Sequence, residues 1–103
     1  MIIVMTTTPT SSEGEALATK IVEAKLAACV QVLPQMTSVY FWEGRVTKDG
    51  EHLLLIKTAD EKFVELETFI KANHSYSVPE IVALDVAKVG SDYLDWVDAV
   101  VTR

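Results

Sequence analysis

The chain has 103 residues, which is enough for one domain, residues 1–103, with one hydrophobic core. Fifteen acidic residues against nine basic ones give a net charge of −6, the wrong sign for attraction to nucleic acid or to an anionic membrane surface. Because no apolar run reaches the roughly 18 residues of a membrane span, no signal peptide is recognisable and the single cysteine excludes an intrachain disulfide, we expect a cytoplasmic protein.

The first third of the chain predicts a strand, a helix and a second strand. Residues 2–7 are rich in β-forming side chains. Ser12 and Glu15 have the spacing of a capping box, and the apolar residues after them recur with a helical period as far as Ala28. Residues 29–33 form another β-rich run, so we predict a second strand there.

The middle of the chain predicts a long β-hairpin. Residues 37–47 and 53–56 are both strongly β-forming, and between them stands Asp49-Gly50, a pair that type I′ turns favour. We therefore place the turn at Asp49 and Gly50. The predicted cross-strand pairs are Lys48 with Glu51, Val46 with Leu53, Gly44 with Leu55 and Trp42 with Lys57.

The last part of the chain predicts a helix, a loop, a strand and a final helix. Thr58 and Glu61 repeat the capping-box spacing before a helix that runs to about Ala72. Residues 73–79 form a polar loop that ends in proline, and residues 81–86 form a strand. Gly90 and Ser91 open the last helix. Its expected inward-facing residues are Tyr93, Leu94, Val97 and Val101.

The order β-α-β-β-β-α-β-α is typical of the α+β class, as a ferredoxin-like split βαβ sandwich with a long β-hairpin. Both faces of the hairpin carry apolar side chains, whereas two helices can cover only one face of a sheet. Because soluble monomers avoid large exposed apolar patches, the sequence predicts that the chain binds a partner chain.

Three side chains are candidates for binding a soft metal ion: Cys29, His52 and His74. Three ligands are too few for a closed zinc site in one chain, but Cu²⁺ or another divalent cation can bind where symmetry multiplies them. His74 is the first candidate because it lies in a polar loop, whereas the apolar neighbours of Cys29 favour a buried thiol. His52, near the predicted hairpin tip, is expected to lie in solvent.

Two further groups of residues are candidates for a ligand cleft. Trp42, Glu43 and Lys57 offer an aromatic ring, a carboxylate and a cation, and packing in a core or interface is the alternative for the ring. Tyr76 and Glu80 share the loop of His74. The glycine-rich phosphate loops and the G-x-S-x-G nucleophile motif are absent, so no organic cofactor is expected.

Several motifs, taken together and in order, resemble the CutA divalent-cation tolerance family. They cover nearly the whole chain: residues 26–30 (LAACV), 38–44 (SVYFWEG), 56–58 (IKT), 74–81 (H-x-Y-x-x-P-E-I) and 93–96 (YL-x-W). The resemblance implies a ferredoxin-like protomer in a tight homotrimer, similar in architecture to PII signalling proteins, with copper binding and a link to metal tolerance. Ser75 and Ser77 depart from it, since the family often has Pro and Glu there.

From the residues and the resemblance we expect a homotrimeric protein that binds a divalent cation, with copper as the first candidate and His74, Cys29 and Glu80 as metal ligands. Trp42, Glu43, Lys57 and Tyr76 are expected in a cleft between subunits that admits a small ligand. Two alternatives stay open at this point. One is a structural trimer that anchors a protein partner, and the other is an enzyme that acts on a small metabolite in that cleft with His74 as acid or base.

Overall fold

The computed structural model describes residues 1–102, and its elements follow the predicted order. The strands are β1 (Ile2–Thr8), β2 (Cys29–Val32), β3 (Met36–Trp42), β4 (Arg45–Thr58) and β5 (Val82–Asp85). The helices are α1 (Ser11–Glu23), α2 (Phe63–Asn73) and α3 (Ser91–Val101), and a short 3₁₀ turn, Asp60–Lys62, precedes α2.

The five strands form one antiparallel sheet in the order β2-β4-β1-β5, and β3 pairs with the first half of β4. Helices α1 and α2 cover one face, where Leu17, Ile21, Leu66 and Ile70 pack on the buried side chains of β1 and β4. A smaller cluster joins α3 to Ala28 and Ala59. This arrangement confirms the predicted α+β class. No helix within residues 1–102 is long and apolar enough to cross a membrane.

The predicted position of the hairpin turn is wrong. The turn lies at Glu43 and Gly44, which both have positive φ (48° and 79°), and Trp42 pairs with Arg45. The predicted register would have used the edge of β4 at residues 54–57, but β2 pairs with that edge. Asp49-Gly50 therefore lies inside a continuous strand of 14 residues, and Lys57 is not opposite Trp42.

Replacing Gly44 by Ala is expected to lower the free energy of unfolding by about 1–2 kcal/mol, because a side chain at this positive φ is strained. Gly50→Ala is the matched control. Its added methyl group meets only the flexible end of the Gln35 side chain, so we expect a change within about 0.5 kcal/mol. Urea unfolding of both variants measures the difference. A larger loss for Gly50→Ala than for Gly44→Ala would contradict the observed turn.

The helix ends also differ from the predicted ones. Thr10, not Ser12, caps α1, since its side chain accepts a hydrogen bond from the Glu13 amide. The helix ends at Glu23 rather than near Ala28, because Lys25 adopts φ 58° and the chain turns away after it.

The second predicted capping box is not formed. Thr58 lies buried in β4, where its hydroxyl donates to the Leu26 carbonyl at 2.7 Å, and α2 begins after the 3₁₀ turn instead. In α3, Val97 and Val101 are buried as predicted. Tyr93 is not, since 37% of its surface is exposed.

The sheet face opposite α1 and α2 is apolar and uncovered in the single chain. Strand pairing places six apolar residues on it, namely Ile3, Met5, Leu53, Leu55, Val82 and Leu84. Leu84 is 50% exposed and Val82 43%, and the other four are half-buried. The uncovered face of the sheet is therefore an apolar surface, in addition to the hairpin, that a partner chain could bury.

Candidate ligand site

A cleft of about 810 Å³ opens between the β3–β4 hairpin and the loop that follows α2. Its lining consists of Thr7, Ser38, Val39, Tyr40, Trp42 and Glu51 from the sheet, together with residues 75–80 from the loop. The volume lies in the range of small-molecule sites in proteins. Among the described residues, none of those that line the cleft is Lys, Arg or His, so the lining charges are all negative.

The hairpin register places aromatic rings and carboxylates on the same side. Opposed residues share a face, so Tyr40 and Trp42 of β3 lie on the face of Asp49 and Glu51 of β4. The Tyr40 hydroxyl donates to the Asp49 carboxylate. Glu51 retains only 9% of its surface exposure, which is unusual for a carboxylate.

The loop after α2 closes the other side of the cleft and is held by two side chains. The Tyr76 hydroxyl donates to Glu51 Oε2 at 2.9 Å, which joins the loop to β4. Ser75 Oγ donates to Glu13 Oε2 at 2.7 Å, which joins it to the first turn of α1. Ser75, one of the two departures from the resemblance, therefore has a structural contact.

Both tyrosine hydroxyls keep their protons at neutral pH. The hydrogen bond to Asp49 raises the pKa of Tyr40, with smaller contributions from desolvation and from the nearby negative charges. Burial is the main cause that raises the pKa of Tyr76 above its ordinary value. The hydrogen bond to Glu51 and the negative charge of that carboxylate add to the effect. Each tyrosine therefore acts as a hydrogen-bond donor that positions a carboxylate.

His74 lies beside the cleft, and the backbone engages both of its ring nitrogens. Nε2 is 2.7 Å from the Thr7 carbonyl oxygen, and because a carbonyl can only accept, Nε2 donates. Nδ1 accepts a hydrogen bond from the Tyr76 amide at 3.0 Å. The centres of the His74 and Tyr76 rings are 4.9 Å apart. A metal ion can bind this imidazole only where one of these hydrogen bonds is given up.

The three predicted metal ligands do not come together in one chain. Cys29 and Ile3 both pair with Lys57, so Cys29 lies at the level of Ile3 in the sheet. His74 contacts Thr7, which is four residues farther along β1. At ~3.3 Å per residue, the positions of Cys29 and His74 are therefore about 13 Å apart along the strand direction. Glu80 is exposed and lines the cleft. Within residues 1–102 no three His, Cys, Asp or Glu side chains form a metal-binding group. A site with these ligands needs more than one chain.

The predicted cleft residues are only partly brought together. Trp42 and Tyr76 both line the cleft. Glu43 lies at the exposed tip of the hairpin, outside the lining, and the Lys57 ammonium group lies 5.5 Å from the centre of the Tyr93 ring.

Tyr40, Asp49 and Glu51 were not predicted as members of the site, because the predicted turn at Asp49 and Gly50 put them out of register. The sequence feature that could have indicated the true turn is Gly44, because a glycine also suits the positive φ of a two-residue turn. His52, expected in solvent, is half-buried and lies 2.9 Å from the Leu33 carbonyl oxygen through Nδ1.

Comparison with known proteins gives a consistent family. The sequence model of the family described as "CutA1 divalent ion tolerance protein" matches residues 2–100. A divalent-cation tolerance protein CutA from Thermus thermophilus is 46% identical over 94 residues, which are 91% of each chain. The chloroplastic protein CutA 1 of Oryza sativa is 45% identical over 95 residues, and the match spans 92% of this chain but 54% of that protein.

The fold comparison agrees. A structure named "periplasmic divalent cation tolerance protein CutA", from Archaeoglobus fulgidus, superposes with a TM-score of 0.94 at 36% identity and covers 98% of this chain and 99% of its own. The chloroplast and the periplasm in these names are different compartments, so the cytoplasmic location of the present chain stays a prediction.

Proposed function

Because this chain belongs to the CutA1 divalent ion tolerance family, we propose that it acts in metal tolerance as a homotrimer that binds a divalent cation with ligands from more than one subunit. The observation that carries the proposal is the separation of Cys29 from His74. Within residues 1–102 of one chain no three His, Cys, Asp or Glu side chains form a metal-binding group, and the proposed site therefore takes its ligands from different subunits.

Assembly is supported by the uncovered apolar face of the sheet. Closed rings bury such a face on every protomer without leaving an unpaired copy. Three chains that meet through their sheets would also give the architecture of PII signalling proteins. The negative lining of the cleft argues against an anionic effector such as a nucleotide at that position, so the proposed likeness to PII proteins is one of architecture.

Copper is the proposed cation. Imidazole and thiolate ligands suit Cu²⁺, whereas Mg²⁺ and Ca²⁺ require rings of oxygen ligands. Binding at His74 gives up one backbone hydrogen bond, to Thr7 or to Tyr76, so the proposed affinity is weak to moderate. Glu80 and Cys29 are the proposed further ligands, contributed by different subunits.

Removing the His74 imidazole is expected to weaken Cu²⁺ binding about tenfold or more, because one strong ligand is lost. The measurement is calorimetric titration of wild type and His74→Ala at about pH 7.5 and about pH 5.5, on either side of the range in which an imidazole ordinarily takes up a proton. Binding to the wild type should weaken at the lower pH. His52→Ala is the control, since it removes the other histidine. Equal affinities for wild type and His74→Ala would exclude His74 as a ligand.

A second candidate function is the anchoring of a protein partner by the trimer. The observation in its favour is an aromatic pair on α3, where the rings of Tyr93 and Trp96 are 5.6 Å apart and 37% and 46% exposed. The enzyme alternative has less support. The family is named for tolerance rather than for a reaction, and both nitrogens of His74 are engaged by the backbone.

A further inference from the structure

The cleft has the charge of a cation site but lacks the geometry of a metal site. Glu51 is nine-tenths buried, and only its Oε2 oxygen accepts a hydrogen bond from a described residue. The other lining carboxylate, Glu80, is exposed. Two carboxylates provide too few oxygen ligands to replace the coordination shell of a bare divalent ion, and a cleft of about 810 Å³ is much larger than such an ion.

Aromatic rings supply much of the remaining lining. Tyr40, Trp42 and Tyr76 come from two different segments, the hairpin and the loop after α2, and all three border the cleft. Faces of such rings attract cations, and Trp and Tyr do so most strongly. Organic ammonium groups are recognised in proteins by this combination of aromatic rings with a carboxylate.

The two tyrosine–carboxylate hydrogen bonds strengthen this property. A phenol that donates to a carboxylate gains electron density on its ring, since hydrogen-bonded groups polarise one another. Tyr40 donates to Asp49 and Tyr76 donates to Glu51. The same bonds fix the rings by their hydroxyl ends, so little order has to be gained when a ligand binds.

We propose that this cleft binds an organic ammonium ion, with Glu51 as the counter-charge and Tyr40, Trp42 and Tyr76 as its aromatic walls. The ligand is a small molecule with an alkylated or primary ammonium group, rather than a bare metal ion or an anion. The copper site proposed above uses His74, Cys29 and Glu80, and it shares only Glu80 with the lining of this cleft. Because Tyr76 follows His74 by two residues, the two sites are neighbours in the loop.

The probe for this proposal is choline, titrated into the intact assembly in buffer that contains EDTA and followed by calorimetry and by the indole signals of Trp42 and Trp96. We expect saturable binding in the millimolar range with the response at Trp42. Dimethylbutanol, in which a carbon replaces the quaternary nitrogen of choline, is expected to bind about tenfold more weakly or not at all. Putrescine, titrated in parallel, shows whether a primary ammonium group is preferred to a quaternary one.

Two variants complete the test. Glu51→Gln keeps an acceptor for Tyr76 but removes the charge, and we expect it to weaken choline binding about tenfold. Glu43→Gln removes an equal charge from the exposed hairpin tip and should leave binding unchanged. Circular dichroism and thermal unfolding of Glu51→Gln establish that it is folded. The proposal is overturned if neither choline nor putrescine binds, if dimethylbutanol binds as well as choline, or if Glu51→Gln binds choline like the wild type.

Discussion

Leu84→Asp is expected to convert the proposed homotrimer into monomers. Leu84 lies on β5 at the uncovered face of the sheet and is 50% exposed in the single chain, so the substitution leaves the protomer core intact. In the assembly the new carboxylate would be buried among Ile3 and the other apolar residues of that face without a partner, at a cost of several kcal/mol at each interface. Light scattering should report a threefold lower mass.

Val64→Asp is the matched control for this result. Val64 lies in the first turn of α2 and is 71% exposed, so it is an even more accessible apolar residue on a different surface. An aspartate there is favoured by the helix dipole. We expect its mass and its unfolding curve to match those of the wild type. An unchanged mass for Leu84→Asp, or monomers for Val64→Asp, would place the interface elsewhere.

The second large effect is expected at Gly14, although this residue lies within a helix where alanine is normally better. A methyl group at Gly14 would lie 2.9 Å from Thr8 Oγ1, 3.1 Å from Val32 Cγ1 and 3.3 Å from Leu54 Cδ1. These atoms belong to three strands and have little freedom to move. Gly14→Ala should therefore lower the free energy of unfolding by about 1–3 kcal/mol, despite a gain of about 1 kcal/mol in helix propensity.

Gly90→Ser is the control for Gly14→Ala. Gly90 precedes α3 as its N-cap, and an added side chain there meets no atom within 4 Å among the described residues. Serine is a better N-cap than glycine, so this variant should be as stable as the wild type or slightly more stable. Urea unfolding measures both variants. A stable Gly14→Ala protein would mean that α1 lies farther from the sheet than the structure shows.

The fold was largely predictable because the signals that define it are local. Hydrophobic period, β-forming runs and proline positions gave the order of all eight main elements, since each depends on a few neighbouring residues. The ends of the elements were less accurate. Ser12 and Thr58 have capping spacing, but Ser12 already lies inside α1, which Thr10 caps, and Thr58 lies in the buried ladder of β4.

The candidate site was predictable only in part because it depends on strand register. Asp49-Gly50 is a stronger turn signal than Glu43-Gly44 when each is considered alone. The competition of β2 for the edge of β4 decides between them, and that competition is a property of the whole sheet. Moving the turn by six residues brought Tyr40 into hydrogen-bond contact with Asp49 and close to Glu51 along the same face, and it separated Lys57 from Trp42.

Native mass spectrometry of the purified protein, with and without Cu²⁺, tests the central proposal most directly because it reports assembly and metal content together. We expect a trimer that takes up Cu²⁺ in preference to Mg²⁺, loses it to EDTA, and binds it more weakly when His74 is replaced by Ala. We also expect that the Leu84→Asp monomer takes up no Cu²⁺ at the same concentration, since the ligands of one chain do not meet. A wild-type monomer, or a trimer that binds copper no better than its Leu84→Asp monomer, would contradict the proposal.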